Sequence, residues 1–241
     1  MFEPLAAAVR FLTILPLPGG PDTPGARRNS MAWFPVAGAL IGAVAGIVGI
    51  VAHLVSPPVA AVMSVATLAI VTGALHIDGL ADVFDSAGGQ TRERRLEIMR
   101  DSRIGTYGTV AIALLISLKI AALWNASPGH LLARLIACTS AARIGPILLA
   151  ATTPYARREG IGVVFVDAVR ASHLLTAAIS AGLLGLVCVG LWGTIMLFIS
   201  VAVVVAGLRW WAIRTIAGVT GDVMGASVEL IEAIGLVLLA R

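Results

Sequence analysis

Three aspartates, Asp78, Asp82 and Asp85, stand four and three residues apart within TGALHIDGLADVFD, residues 72–85. On a helix turning about 100° per residue they share one stripe about 60° wide. Unneutralised carboxylates so placed repel one another and are costly to desolvate. A divalent cation, or arginines from a neighbouring segment, relieves that cost. Oxygen donors without a thiolate favour Mg²⁺ or Mn²⁺. The plainer alternative is a solvated acidic helix face. Gly79 and Ala81 between the acids keep the helix slim enough for a substrate or a second helix to approach. His76, just before the stripe, reads as a base, a ligand or the cap of the preceding apolar run.

A second acidic group begins at Asp222, in TGDVMGA, residues 220–226. Glu229, seven residues on, lies within about 20° of Asp222 on a helix, and Glu232 about 80° away. Acids at the head of an apolar helix are functional candidates by default. Interaction with the helix dipole is the alternative. Arginines cluster near both groups. Arg100 and Arg103 flank Asp101 and Ser102 just before an apolar run, and guanidinium pairs suit bidentate grip on phosphate. Arg157 and Arg158 sit in a glycine-flexed loop, either a phosphate site or a plain positive anchor. Arg143 falls mid-run, where a charge costs ~2.5–3.5 kcal/mol, so it needs a partner or a polar cavity. Lys119 lies nearer a run's end and reads as snorkelling. Thr91 is a plausible N-cap for a short helix over 92–101, with Glu93, Glu97 and Asp101 along one face.

The elements that must position these residues are membrane helices. The 241 residues are 59% hydrophobic and 12% charged, with a mean hydropathy of +0.97. Soluble chains run about 45–50% apolar and about 25% charged. A cytosolic enzyme, a secreted domain and a disordered tail are excluded. So is a disulfide scaffold, since Cys138 and Cys188 both sit in apolar runs. A span needs ~20 apolar residues. Runs at 32–53, 59–75, 107–124, 131–151, 174–190, 192–208 and 226–240 give about seven. Only helices fit, because backbone in lipid must satisfy its own hydrogen bonds. The predicted fold is therefore all-α: one polytopic membrane bundle over 1–241 with short cytoplasmic helices. Residues 1–30 form an interfacial segment, and 76–106 the acidic and basic site segment. Gly38, Gly42 and Gly46 recur one turn apart, a pattern for close helix packing.

Of the 17 basic residues, 13 fall in connections on one side. The turns on the other side hold none. The positive-inside rule makes the charged side cytoplasmic, and a nucleic-acid partner is not indicated. No P-loop, G-x-G-x-x-G, G-x-S-x-G or H-E-x-x-H pattern occurs.

The segment TGALHIDGLADVFD resembles the acidic signature of the cobalamin synthase (adenosylcobinamide-GDP ribazoletransferase) family. RLEIMRDSRIGTYG, residues 95–108, is similar to that family's second block, and FLTILP, residues 11–16, to its N-terminal block. Residues 155–160 and 220–226 resemble its later blocks. The resemblance implies a Mg²⁺-dependent phosphoryl-group transferase, with Mn²⁺ as a substitute, embedded in the cell (inner) membrane with a cytoplasmic site. It implies adenosylcobinamide-GDP and α-ribazole, or its 5′-phosphate, as substrates and GMP as product. On this reading Asp78, Asp82, Asp85 and Asp222 hold metal. His76, Asp82, Asp85 and Asp222 serve catalysis, and Arg100, Arg103, Arg143, Arg157 and Arg158 bind substrate. A homo-oligomer is left open. The alternative is a transporter or ion-coupled permease, which calls for charges at mid-membrane in several helices.

Overall fold

A computed structural model describes residues 2–18, 22–157, 166 and 168–240. Eleven helices are described: α1 Phe2–Leu12, α2 Pro24–Asn29, α3 Phe34–Ala52, α4 Pro57–Val71, α5 Leu75–Asp85, α6 Arg92–Ile98, α7 Thr106–Leu123, α8 Pro128–Ala142, α9 Ile144–Thr152, α10 Ala171–Ile216 and α11 Gly221–Leu238. Three-residue and four-residue 3₁₀ turns follow α5 and α2. Among the described residues the only bridge of β type joins Tyr155 and Val219.

Four segments are long and apolar enough to cross a membrane: Pro24–Ala52, Thr106–Leu123, Pro128–Thr152 and Ala171–Ile216. A fifth arises if α4 and the segment Leu75–Gly88 count as one bent span. That is fewer than the seven expected runs, and the reasons are local. The runs at 174–190 and 192–208 are two arms of α10, which reverses at Gly190 (φ +70°). A methyl at Gly185 would stand 2.8 Å from Thr194 Oγ1, and one at Gly182 3.9 Å from Phe198 Cζ. On a straight helix those pairs would lie ~14 and ~24 Å apart. The run at 226–240 lies in α11, which carries Asp222, Glu229 and Glu232. Trp192 and Trp210, both exposed, stand eighteen residues apart on the second arm. Eighteen residues of helix span about 27 Å, close to a hydrocarbon core of ~30 Å, and tryptophan favours its edges.

Small residues set the packing. Methyls added at Gly38 and Gly42 of α3 would clash with Thr139 and Leu135 of α8, as the glycine spacing predicts. The N-terminal helix, expected to be interfacial, packs one face on the bundle. Ala7, Ala8 and Leu12 are buried, because α1 docks on α3 and Phe11 stacks on Phe34 (centroids 5.8 Å apart). The helix expected over 92–101 ends at Ile98. Asp101 lies beyond it and accepts from Arg103.

A sharp bend delivers the acidic stripe. At the end of α4, Ala74 N donates to Ala69 O and Gly73 N to Ile70 O, a Schellman closure. Gly73 (φ +58°) and Ala74 (φ +57°) are both left-handed. The segment Leu75–Gly88 then leaves α4 at 88° and runs along the end of the bundle.

Four buried charges hold α11 against its neighbours. Lys119 Nζ donates to Glu229 Oε2 and Glu232 Oε2, each at 2.7 Å. Arg143 pairs with Glu232 and also donates to Thr139 O. Lys119 is thus enclosed rather than snorkelling. Glu229 and Glu232 lie about 10–15 Å along α11 from Asp222, not beside it at the rim. Removing one member of a buried ion pair costs about 3–5 kcal/mol, because its partner is left uncompensated. We expect Lys119→Met to lower the thermal midpoint in detergent micelles sharply, and Lys119→Met with Glu229→Gln to recover part of the loss. An unchanged midpoint in the single variant would show the cluster is dispensable. The arginine-rich segment and the bare turn after α7 lie at opposite ends of that helix. In a variant lacking Cys138 and Cys188, single cysteines at exposed Gln90 and Ser127 should therefore label from opposite sides of intact cells. Labelling from one side would contradict the topology.

Candidate active site

Two helix backbones touch where the acidic stripe meets the second acidic block. A methyl at Gly79 of α5 would stand 2.8 Å from Asp222 O and 3.1 Å from Asp222 Cα. One helical turn on, a methyl at Gly225 would lie 3.4 Å from His76 Cα. Glycine and the short Asp222 side of α11 thus bring Asp78 and Asp222 to one cavity, although 144 residues separate them. Thr220 caps α11: its hydroxyl accepts from Val223 N at 3.4 Å and donates to Asp222 Oδ2 at 3.1 Å.

Arg157 reaches the same carboxylate, donating from Nη2 to Asp222 Oδ2 at 3.0 Å. Its buried Nε has no partner among the described residues. The loop that carries Arg157 is pinned to the loop before α11. Ala156 N donates to Val219 O and Val219 N to Pro154 O, both at 2.8 Å. Arg92 clamps the two loops together, donating to Ile216 O at 3.0 Å and to Ala156 O at 2.8 Å. Nothing in the sequence singled out Arg92. A guanidinium that recognises two backbone carbonyls leaves no pattern in sequence.

The cavity measures about 250 Å³ and is lined on one side by His76, Asp78, Arg157 and Asp222. His76 is buried, with no partner for Nδ1 among the described residues. Asp82 is half-buried on the next turn of the stripe. Burial, Asp222 and Asp78 push its carboxyl up to about 7, against the opposing pull of Arg157. Burial also raises the Asp222 carboxyl, while Arg157 and Thr220 restrain the rise.

The other expected site residues are elsewhere. Asp85 faces the start of α7, where its two carboxylate oxygens accept from Gly105 N at 2.7 Å and Gly108 N at 2.8 Å. It fixes the junction that follows the arginine-rich segment. Arg103 is spent on Asp101, and neither Arg103 nor Arg100 lines the cavity. Arg143 is enclosed with Glu232, its Nε without a partner among the described residues. Arg158 lies outside the described residues. Among those residues no group of three or more His, Cys, Asp or Glu stands at metal-holding spacing. Two carboxylates on facing helices do fit Mg²⁺, which keeps several waters and is held by one or two carboxylates plus substrate phosphates.

Residues 4–240 match the cobalamin-5-phosphate synthase family. The adenosylcobinamide-GDP ribazoletransferase of Roseiflexus sp. (strain RS-1) is 37% identical over 241 residues, covering 99% of this chain and 89% of that protein. The protein of the same name from Klebsiella pneumoniae (strain 342) is 36% identical over 250 residues, covering 99% and 100%. That from Chlorobaculum tepidum is 38% identical over 245 residues, covering 97% and 93%. No solved structure matches the chain. With the similarity running almost end to end, through both acidic blocks and the arginine loop, the chain belongs to the cobalamin-5-phosphate synthase family.

Proposed function

We propose that the chain is an adenosylcobinamide-GDP ribazoletransferase of the cell (inner) membrane, working at its cytoplasmic face. A 3′-hydroxyl of α-ribazole, or of its 5′-phosphate, attacks the cobinamide-side phosphorus, and GMP leaves with the bridging oxygen. The observation that carries this reading is the meeting of Asp78, Asp222 and Arg157 from three distant segments in one cavity.

Transfer of a phosphoryl group asks a protein chiefly to align the reactants and neutralise charge. Asp78 and Asp222 would hold Mg²⁺, or Mn²⁺ in its place. The ion, when bound, supplies Lewis-acid charge stabilisation to the phosphate oxygens. Arg157 offers further donors: one nitrogen orients Asp222, and the buried Nε has no partner among the described residues. An unpaired buried donor costs about 1–3 kcal/mol, a cost that an incoming phosphate oxygen removes. Asp82, half-buried one turn along the stripe from Asp78, suits the role of proton acceptor from the attacking hydroxyl. Asp85 acts on the site through its hold on α7. Arg92 keeps Arg157 and Asp222 in register.

The test is GMP release from adenosylcobinamide-GDP by membranes containing the protein, with α-ribazole as acceptor and Mg²⁺ present. Asp222→Asn should lower the rate at least about 100-fold with folded protein retained. Charge stabilisation at a metal is worth several kcal/mol, and each 1.36 kcal/mol is tenfold in rate. Absence of GMP release by the wild type, or a near-normal rate in Asp222→Asn, would contradict the reading.

A further inference from the structure

The cavity lining is of two chemical kinds. Beside the charged and polar side chains, a wall of Phe11, Leu12, Met31, Phe34 and Leu75 lines it. They come from α1, the 3₁₀ turn before α3, α3 itself and the first residue of α5. Leu12, Met31 and Phe34 are at most 3% exposed, so this wall is held by packing. The rings of Phe11 and Phe34 stack with 7° between their planes. The five side chains of this wall carry no hydrogen-bonding group; apart from Asp78, Arg157 and Asp222, only Tyr155 and His76 among the described lining residues do.

We propose that this wall is the subsite for the base of the nucleoside acceptor, an apolar bicyclic aromatic, and not for the guanine of the donor. The inference rests on the reading that this site joins a nucleoside to one phosphorus of a pyrophosphate. Three observations favour the acceptor. First, the wall has little to offer a guanine, whose carbonyl, ring N–H and amino group all need partners. Each polar group buried without one costs about 1–3 kcal/mol. A methylated benzimidazole presents C–H and methyl edges and gains from apolar burial at ~25 cal/mol per Å². It also gains from offset contact with aromatic rings. Second, the size fits. At about 250 Å³ the cavity lies just below the range of ordinary ligand pockets, ~300–1,000 Å³. It suits a small aromatic group and excludes a corrin macrocycle. Third, the polarity runs the right way. Leu75 stands three residues before Asp78 on α5, and both line the cavity, so a base seated against Leu75 lies within a nucleoside's length of the carboxylates, where the attacking hydroxyl is needed.

Two measurements on the full chain in lipid nanodiscs test this. The first is equilibrium binding of α-ribazole, followed by its own fluorescence, with guanosine as competitor. The second is the KM for each substrate, from GMP release, in Leu75→Asn and Phe11→Leu. Leu75 is largely exposed at the start of α5, so its variant perturbs little packing. Phe11→Leu removes only the aromatic face, and thermal melts check that both variants fold. Wild type should bind α-ribazole, and excess guanosine should not displace it. Leu75→Asn should raise the KM for α-ribazole about tenfold, the cost of a polar group on apolar surface, and Phe11→Leu by less. The KM for adenosylcobinamide-GDP should stay within about twofold of wild type. A rise in the donor KM instead, or displacement by guanosine, would assign the wall to guanine and overturn the proposal. Unchanged KM values for both substrates in both folded variants would overturn it too. Binding of α-ribazole that Leu75→Asn weakens, without any GMP release by wild type, would uphold the subsite and defeat the reaction instead.

Discussion

The contact of two backbones at Gly79 and Asp222 is the constraint on which the site depends. Position 79 must lack a side chain, since a methyl there would stand 2.8 Å from a carbonyl oxygen of α11. Only at that approach do Asp78 and Asp222 share a cavity. The bend at Gly73 and Ala74 aims α5 at the crossing. The Tyr155–Val219 bridge and the Arg92 clamp hold the loop before α11. The Lys119, Arg143, Glu229 and Glu232 cluster fixes α11 farther along its length. The helix that carries Asp222 is thus held at its start and its middle by interactions of different kinds.

Charge balance divides the acids of α11 into two classes. Glu229 and Glu232 are matched by Lys119 and Arg143 within the bundle. These pairs leave no unmatched mid-bundle acid among the described residues, as an ion-coupled permease would want. Asp222 has one partial partner, Arg157. Asp78 and Asp82 of the facing helix have no ion pair among the described residues, and the Asp82 carboxyl rises accordingly. Among the described residues the rim therefore holds more carboxylates than cations to pair with them. A cation arriving with a pyrophosphate substrate would supply the missing positive charge.

Features that repeat along one element were legible in sequence. The aspartate stripe follows from helical period, the close packing of α3 from glycines one turn apart, and the two arms of α10 from separate apolar runs at 174–190 and 192–208. The proximity of Asp222 to the stripe accords with the family resemblance, which implies one metal for both. Most of what escaped depends on pairs far apart in sequence. Asp85 shares the stripe by angle, yet its carboxylate is drawn to backbone N–H groups 20 and 23 residues on. Lys119 looked like a surface cation because its two partners lie 110 and 113 residues away. Arg100 and Arg103 looked like phosphate ligands, but the chain leaves α6 at Ile98 and turns Arg103 onto Asp101.

The central claim is that Asp78 and Asp222, from two distant segments, hold one divalent cation together with the substrate phosphates. The most direct measurement is Mn²⁺ binding by electron paramagnetic resonance on the full chain in nanodiscs, with adenosylcobinamide-GDP present. The account predicts one tight site in the wild type, weakened in both Asp78→Asn and Asp222→Asn. An unchanged Mn²⁺ affinity in Asp222→Asn would contradict it, because the second helix would then contribute nothing to the ion.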